Sequence, residues 1–498
     1  MASVFLTLIQ ANPTSGHLES NLEHIRALWQ ALPAVQGPQL VVIPTGAIEG
    51  QNGREALTWP MARSLYERTI DAVGSLAQGT TAVVLPYIDK EGNQKVVFFH
   101  RGEKTMLPTH GLVEWGGVSF SLDEETPADA QLYFRRFSTV GHRFQGFGKG
   151  KLHFFCAVAG GDGLKISAGD TGFYGPEGAD VLPPWESGAI RFALERGGDL
   201  VLQVTRAAAT PRQYPSVSAD ARYEALRAGI RDYVTKNRIR GVVIGLSGGV
   251  DSALVASLAV DALGAAAVKG ILLPSRFTST LSLTCAAELA KNLGIATETL
   301  SIEPLFEASL ATLRPLFGEA AWDLTEENLQ ARARAILLMA VANKEGRLLL
   351  CTSNKAEAAM GYGTLYGDIT GGYAPLIDLW KGDVYALCES RNAAAGFDVI
   401  PRSIIERAPS AELHEGQLDS DSLPPYDEIE AVVTALLHKS PMTDVIATYG
   451  EAKVRDIVHR YFVNAYKRAQ GIPGPAVSDA PLSVTSDWGL GGDWLARA

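Results

Sequence analysis

Residues Ile244–Val260 read IGLSGGVDSALVASLAV: an aliphatic segment stops at a serine and two glycines, then resumes with helical spacing. Val242 to Gly245 read as a buried strand and the apolar run after Val250 as a helix. A glycine pair between strand and helix lets the backbone turn tightly and aim its N–H groups outward. The positive end of the helix dipole lies behind them, so the turn suits an anion. Ser247 and Ser252 add hydroxyls, and Asp251 adds a carboxylate able to hold Mg2+ beside phosphate oxygens. The spacing is not GxxxxGK[ST], the pattern of the common nucleoside-triphosphate loop.

A chain of 498 residues exceeds one ordinary core and predicts two or three domains. With 46% hydrophobic and 20% charged residues it has the composition of a globular protein, and a net charge of −11 argues against a broad nucleic-acid surface. No apolar run is long enough for a membrane span, and MASVFLTLIQANP lacks a basic leader, so a cytoplasmic protein is expected. Cys156, Cys285, Cys351 and Cys388 show no CxxC spacing, which disfavours disulfides and zinc.

Strand and helix patterns alternate along the whole chain. The polar connector in QVTRAAATPRQYPSVSADARYEAL divides it into an N-terminal segment, 1–212, a linker, 213–222, and a C-terminal segment, 223–498. In the second segment GVVIGL, GILLP, TETLSI and LLLCTSN read as strands between helices. That alternation predicts an α/β fold with a doubly wound parallel sheet and ligands at the strands' carboxyl ends. In the first, SVFLTLIQ, QLVVIP, TAVVLP, VVFFH and DLVLQV read as strands, with helices around residues 22–32 and 63–76. The proline-bearing tail from Pro473 reads as a loop or arm.

SGGVDS resembles the pyrophosphate loop of the ATP pyrophosphatase superfamily. Together with LPSRFTST, DLTEENLQARARAILLMAVAN, CTSNKAE, GYGTLYGDITGGYAPLIDLWKGDVYAL, PSAEL and DSDSLPPYDEIE, it makes residues 217–475 resemble NAD synthetase. CTSNKAE departs slightly from the family string, at a serine and an alanine. The resemblance implies amidation of nicotinic acid adenine dinucleotide (deamido-NAD): ATP adenylates the carboxylate, pyrophosphate leaves, and ammonia displaces AMP. It places Gly245, Leu246, Ser247, Gly248, Gly249, Val250, Asp251 and Ser252 on the ATP phosphates. Thr352, Lys381 and Ser410 are further ATP contacts. Asp251 and Glu357 are assigned as catalytic metal ligands, Glu357 at the metal or the nicotinate end. Asn328, Arg332, Glu357, Asp368 and Lys467 line the deamido-NAD site. Asn328 also reads as a helix cap, Lys467 as a solvated charge and Glu357 as a helix-start acid. A homo-oligomer, at least a dimer, is implied.

FLTLIQANPTSGHLESNLEHI, QLVVIPTGAIEGQN and KTMLPTHGLV resemble a nitrilase-like glutaminase domain, an α/β sandwich. Such domains use a Glu base, a Lys and a nucleophilic Cys. By this resemblance Thr45 stands at the base, Lys104 retains the lysine, and Ala168, in SAGD, takes the nucleophile's place. Cys156 is an alternative nucleophile if the alignment shifts, and Glu49 an alternative base. The expectation is a degenerate glutaminase and direct use of ammonia. The alternative is glutamine dependence with a shifted or partner-supplied glutaminase, the N-terminal segment serving as a docking module.

Overall fold

The computed structural model describes residues 3–50, 55–108, 110–135, 152–162, 165–176, 178–196, 202–212, 214–318 and 320–482. It divides into two compact units, Met1–Pro215 and Ser216–Ala498. The division falls inside the expected linker. Val217 and Ser218 amides bond to the Glu224 carboxylate, and the first helix of the second unit starts at Ala221, so most of that linker belongs to the second unit.

The first unit is a sandwich of two sheets. One runs Leu202–Ala209, Gly188–Arg196, Val4–Gln10, Gln39–Val42, Thr81–Ile88, Gln94–His100, Glu103–Leu107, with Val4–Gln10, Gln39–Val42 and Thr81–Ile88 parallel at its centre. The other runs Gly178–Val181, Gly172–Gly175, His153–Ala157, Ala130–Arg135, Val118–Ser121, Leu112–Trp115. Alternating side chains explain the unbroken apolar strands. Leu40 and Val42 join Leu6, Phe120, Leu132, Phe154 and Phe192 between the sheets. Val41 and Ile43 point the other way, onto helices Leu18–Gln30 and Pro60–Val73 through Ile25, Leu28, Tyr66 and Ile70. The strand read as DLVLQV is Leu202–Ala209, at the sheet edge. The second sheet's strands are short and were not read from the sequence.

The second unit has a four-stranded parallel sheet in the spatial order Ala296–Thr299, Val268–Leu272, Val242–Gly245, Leu348–Leu349. The first strand of this unit, Val242–Gly245, thus lies between its second and its fourth. The order reverses there, so the loops after Gly245 and after Leu349 diverge and open a crevice at the carboxyl ends. Helices Val250–Leu263, Thr280–Leu293, Glu303–Phe317 and Leu324–Glu345 connect the strands. Asp323 caps the last of these in a capping box with Glu326. A helical cluster of Ala356, Ala359, Ile429, Val433, Val454, Ile457 and Phe462 packs helix Lys355–Met360 against Tyr426–Leu437 and Glu451–Val463. Among the described residues no helix is long and apolar enough to cross a membrane.

The described part of the tail is held at residues 477–480. Lys355, 1% exposed, donates from Nζ to Asp378 Oδ1 (2.8 Å), Ser478 Oγ (2.8 Å) and the Ala480 carbonyl (2.7 Å). Asp378 Oδ2 accepts from the Val477 and Ser478 amides. Every proton of the buried ammonium is paired, as a charge removed from water requires. Lys355→Met should leave Asp378 buried without its cation and lower unfolding stability by about 3–5 kcal/mol. Urea denaturation followed by tryptophan fluorescence checks this.

Candidate functional site

The crevice is built from two strand ends. After Gly245 the chain turns through Ser247 and Gly248 into helix Val250–Leu263, capped by Gly249. Ser247 Oγ accepts from the Gly249 amide (3.2 Å) and lies 3.1 Å from Ser252 Oγ, which donates to the Gly249 carbonyl (3.0 Å). The turn is therefore preorganised by its own serines. Gly248 has φ +77°, and a Cβ there would stand 2.3 Å from the Ser282 carbonyl oxygen. Only glycine fits.

After Leu349 the chain passes the half-buried Thr352 and Ser353 to Asn354, which caps helix Lys355–Met360 in a capping box with Glu357. Asn354 is fully buried, and Nδ2 donates to both Asp251 Oδ1 (2.9 Å) and Glu357 Oε1 (2.7 Å). Lys381, at the start of helix Lys381–Ala395, places Nζ 2.6 Å from Asp251 Oδ2 and 3.6 Å from Glu357 Oε1. Burial and the Asp251 charge both push the Glu357 carboxyl up. Burial alone would lower Lys381, but the facing carboxylates outweigh it and hold the ammonium well above its usual range. Asp251, Glu357 and Lys381 thus meet at one point. Asn354, which joins them, stands in the sequence at the strand end of CTSNKAE without an assigned role; its signal is the N-x-x-E spacing of a capping box.

Among the described residues no group of three or more His, Cys, Asp or Glu side chains is placed to hold a metal. Two hard carboxylates around a buried ammonium nevertheless suit a divalent cation that takes its other ligands from phosphate and water.

Beyond Glu357 a narrow cleft is lined by Ile369, Ala374, Ile377, Ile472, Leu482 and Lys467, among others. Lys467 Nζ donates to the Gly361 (2.7 Å) and Gly363 (2.8 Å) carbonyls, which fixes it at the cleft wall. Thr364 ties Asn328 to Asp368: its hydroxyl donates to Asn328 Oδ1 (2.6 Å) and its amide to Asp368 Oδ1 (2.6 Å). Arg332 Nε donates to the Leu365 carbonyl (3.3 Å). Burial raises the Asp368 carboxyl. These four residues gather around the loop 361–368. Ser410 instead gives its hydroxyl to the Gln417 carbonyl and supports its own loop.

The three positions matched to the glutaminase resemblance lie on separate elements of the first unit. Thr45 is buried, and among the described residues its hydroxyl has no hydrogen-bond partner. Lys104 sits on the edge strand Glu103–Leu107 and pairs with Asp71 at 2.7 Å. Four strand spacings separate that edge from Val4–Gln10, roughly 19 Å across the sheet. Ala168 belongs to a turn after the hairpin Gly160–Asp162/Lys165–Ser167, and its carbonyl accepts from the Trp185 amide. It directly follows Ser167, the last residue of the strand Lys165–Ser167 in that two-stranded sheet. The parallel strand Ala130–Arg135 ends where residues 136–151 lie outside the described residues. Cys156 is fully buried between the sheets, its Sγ 3.1 Å from the Ile9 carbonyl oxygen, and burial pushes the thiol far up. A neutral core thiol is no nucleophile. Glu49 is buried too, in the loop that follows Thr45.

A glycine-turned phosphate loop facing two carboxylates at the switch point of a parallel sheet defines an α/β nucleotide-binding unit. The NAD synthase family profile matches residues 222–471. The glutamine-dependent NAD(+) synthetase of Rhodobacter capsulatus is 34% identical over 537 aligned positions, covering 95% of both chains. That of Xanthomonas campestris pv. campestris (strain 8004) is 48% identical over 258 residues, 51% of this chain; that match spans about half the relative's length, 47%. Among solved structures, glutamine-dependent NAD+ synthetase from Acinetobacter baumannii in complex with adenosine diphosphate superposes over all of both chains with TM-score 0.71 and 26% identity. The fold is shared with the Cytophaga hutchinsonii glutamine-dependent NAD(+) synthetase, at TM-score 0.70 and 16% identity over 97% of this chain and 98% of that one. The chain belongs to the NAD synthase family, with a nitrilase-like sandwich ahead of the synthase unit.

Gly248→Ala should weaken ATP binding by at least about tenfold, since the added methyl must displace backbone and the turn must leave φ +77°. Calorimetric titration with ATP measures it, and unchanged affinity would mean that the turn does not cradle phosphate.

Proposed function

We propose that this chain is an NAD synthetase that adenylates deamido-NAD with ATP and replaces AMP with ammonia. The observation that carries the reading is the cluster of Asp251, Asn354, Glu357 and Lys381 at the mouth of the Ser-Gly-Gly turn. Family membership supports the substrates.

A carboxylate is a poor acyl donor. Its oxygen attacks the α-phosphorus, the bond to the bridging oxygen breaks, and pyrophosphate leaves with that electron pair. Ammonia then adds to the acyl carbon, loses a proton, and AMP departs with the C–O bond. The loop amides and the serine hydroxyls hold the phosphates, and Lys381 exchanges a carboxylate partner for phosphate oxygen. Asp251 and Glu357 would hold Mg2+, which when bound neutralises phosphate charge. The apolar side chains of Ile369, Ala374, Ile377 and Leu482 keep water from the acyl adenylate. Leu316, Trp322, Leu324 and Ile336, exposed on and between neighbouring helices, fit the expected homo-oligomer.

For the nitrogen source, the relatives, named as glutamine-dependent synthetases, favour glutamine. All four cysteines of the chain are buried, and Cys156 is the one in the sandwich unit. We therefore assign glutamine hydrolysis to a partner protein, with the sandwich as its docking module. Direct use of free ammonia is the second reading, favoured by the same core cysteine.

With ATP, Mg2+, deamido-NAD and ammonium, the purified chain should form NAD, AMP and pyrophosphate. Glutamine alone should support little turnover until a separate glutaminase is added. Formation of ADP and phosphate would sink the adenylation step, and brisk glutamine turnover by the pure chain would sink the partner assignment.

Only neutral ammonia has a lone pair for the attack. At fixed subsaturating total ammonium the rate should rise about tenfold per pH unit above neutrality, as the free-base fraction does below its pKa. The KM expressed as free ammonia should stay constant while the total-ammonium KM falls. A constant total-ammonium KM would mean that the ion itself is bound.

A further inference from the structure

The loop Gly245–Ser252 brings amides and hydroxyls to the phosphates but no cationic side chain. Its product on the proposed reading, pyrophosphate, is a polyanion. Lys381 is already shared between two carboxylates. A second cation, Arg407, is seated on the loop itself. Its Nη1 lies 3.5 Å from the Gly248 carbonyl oxygen and donates to Ser282 Oγ at 2.8 Å, while Nη2 donates to Glu412 Oε1 at 3.1 Å. The same Glu412 carboxylate accepts from Ser279 Oγ (2.7 Å), Ser282 Oγ (2.8 Å) and the Ser279 amide (3.2 Å).

A guanidinium, two hydroxyls and an amide therefore converge on one anion, and that anion belongs to the chain. The cluster adjoins the phosphate loop: the Cα of Gly248 packs so closely on Ser282 that no Cβ fits between them. Glu412 reaches it from a backbone at φ +48°, a region that non-glycine residues rarely occupy. A single carboxylate on a strained backbone, met by one nitrogen of a guanidinium whose planar fork suits phosphate, is a replaceable occupant.

We propose that Arg407 is a pyrophosphate-binding residue of the adenylation step, and that Glu412 fills its place until ATP binds. The inference rests on the proposed function, since it assigns a further residue to the same site. As the bond from the α-phosphorus to the bridging oxygen breaks, the electron pair stays on pyrophosphate, and Arg407 neutralises the charge that builds there. Glu412 is displaced without any proton transfer. A purely structural Arg407 would serve only to anchor Glu412, and the two roles predict opposite behaviour of the two variants.

The test is calorimetric titration of the full-length protein with magnesium pyrophosphate and, separately, with AMP. Arg407→Gln should weaken pyrophosphate by about tenfold or more, the usual size of a lost charge-assisted hydrogen bond, with AMP affinity unchanged. Arg407→Lys should fall between. Glu412→Gln should bind pyrophosphate several-fold more tightly than the wild type, because the competing anion is gone. Equal weakening in Arg407→Gln and Glu412→Gln, or no tightening in Glu412→Gln, overturns the proposal. If Arg407→Gln does not fold, Arg407→Lys and Glu412→Gln decide alone. Binding requires no turnover, so a wild-type chain that binds pyrophosphate but makes no NAD counts against the proposed function and not against Arg407.

Discussion

Two carboxylates from the ends of two different strands are held together by one amide. Asp251 belongs to the helix after Val242–Gly245, and Glu357 to the helix after Leu348–Leu349. Like charges in a buried setting repel, and burial alone disfavours either one. Asn354 spends one proton of its amide on each, and Lys381 adds a positive charge beside both. Asn354 is also the cap that starts the helix carrying Glu357, so one side chain sets both the backbone and the charge arrangement. Two carboxylates and one ammonium sum to one net negative charge. A divalent cation would leave the cluster positive, which is the sign that a polyphosphate requires.

Much of this was legible in the sequence, and the limits have physical causes. The strand–turn–helix at Ile244–Val260 is plain because the hydrophobic period changes at a glycine pair. Alternation predicted a parallel sheet, but the reversal of strand order beside Val242–Gly245 depends on long-range pairing and leaves no local trace. Asn354 carries a local signal, the capping-box spacing to Glu357, that went unused. Arg407 and Glu412 carry none: they meet Ser279 and Ser282 from more than a hundred residues away, through an irregular loop. Strands such as Leu112–Trp115 and Val118–Ser121 escape because four residues with mixed burial set no period.

The sandwich unit separates fold from chemistry. Its strands keep both apolar faces, Leu40 and Val42 inward between the sheets and Val41 and Ile43 toward the helices, so the core alone accounts for its persistence. Hydrolysis of glutamine by a cysteine depends instead on a few polar positions that packing does not protect. Thr45 cannot act as a carboxylate base, and Lys104 is paired with Asp71 on the edge strand. Cys156 has been absorbed into the core between the sheets.

The cysteines decide how far the two accounts of nitrogen supply can differ. The whole sequence contains four, none within residues 136–151, and each is buried among the described residues. Cys285, Cys351 and Cys388 belong to the synthase unit, where helix and strand packing hold them. A thiol in an apolar core is held protonated, and its sulfur has no room to accept a carbonyl carbon. Both proposed accounts therefore have the chain receive ammonia released elsewhere. The accounts differ only in whether that ammonia is delivered by a partner or drawn from solution. Delivery gives the retained sandwich a reason to keep its surface as well as its core, because a docking face is selected on side chains that packing ignores.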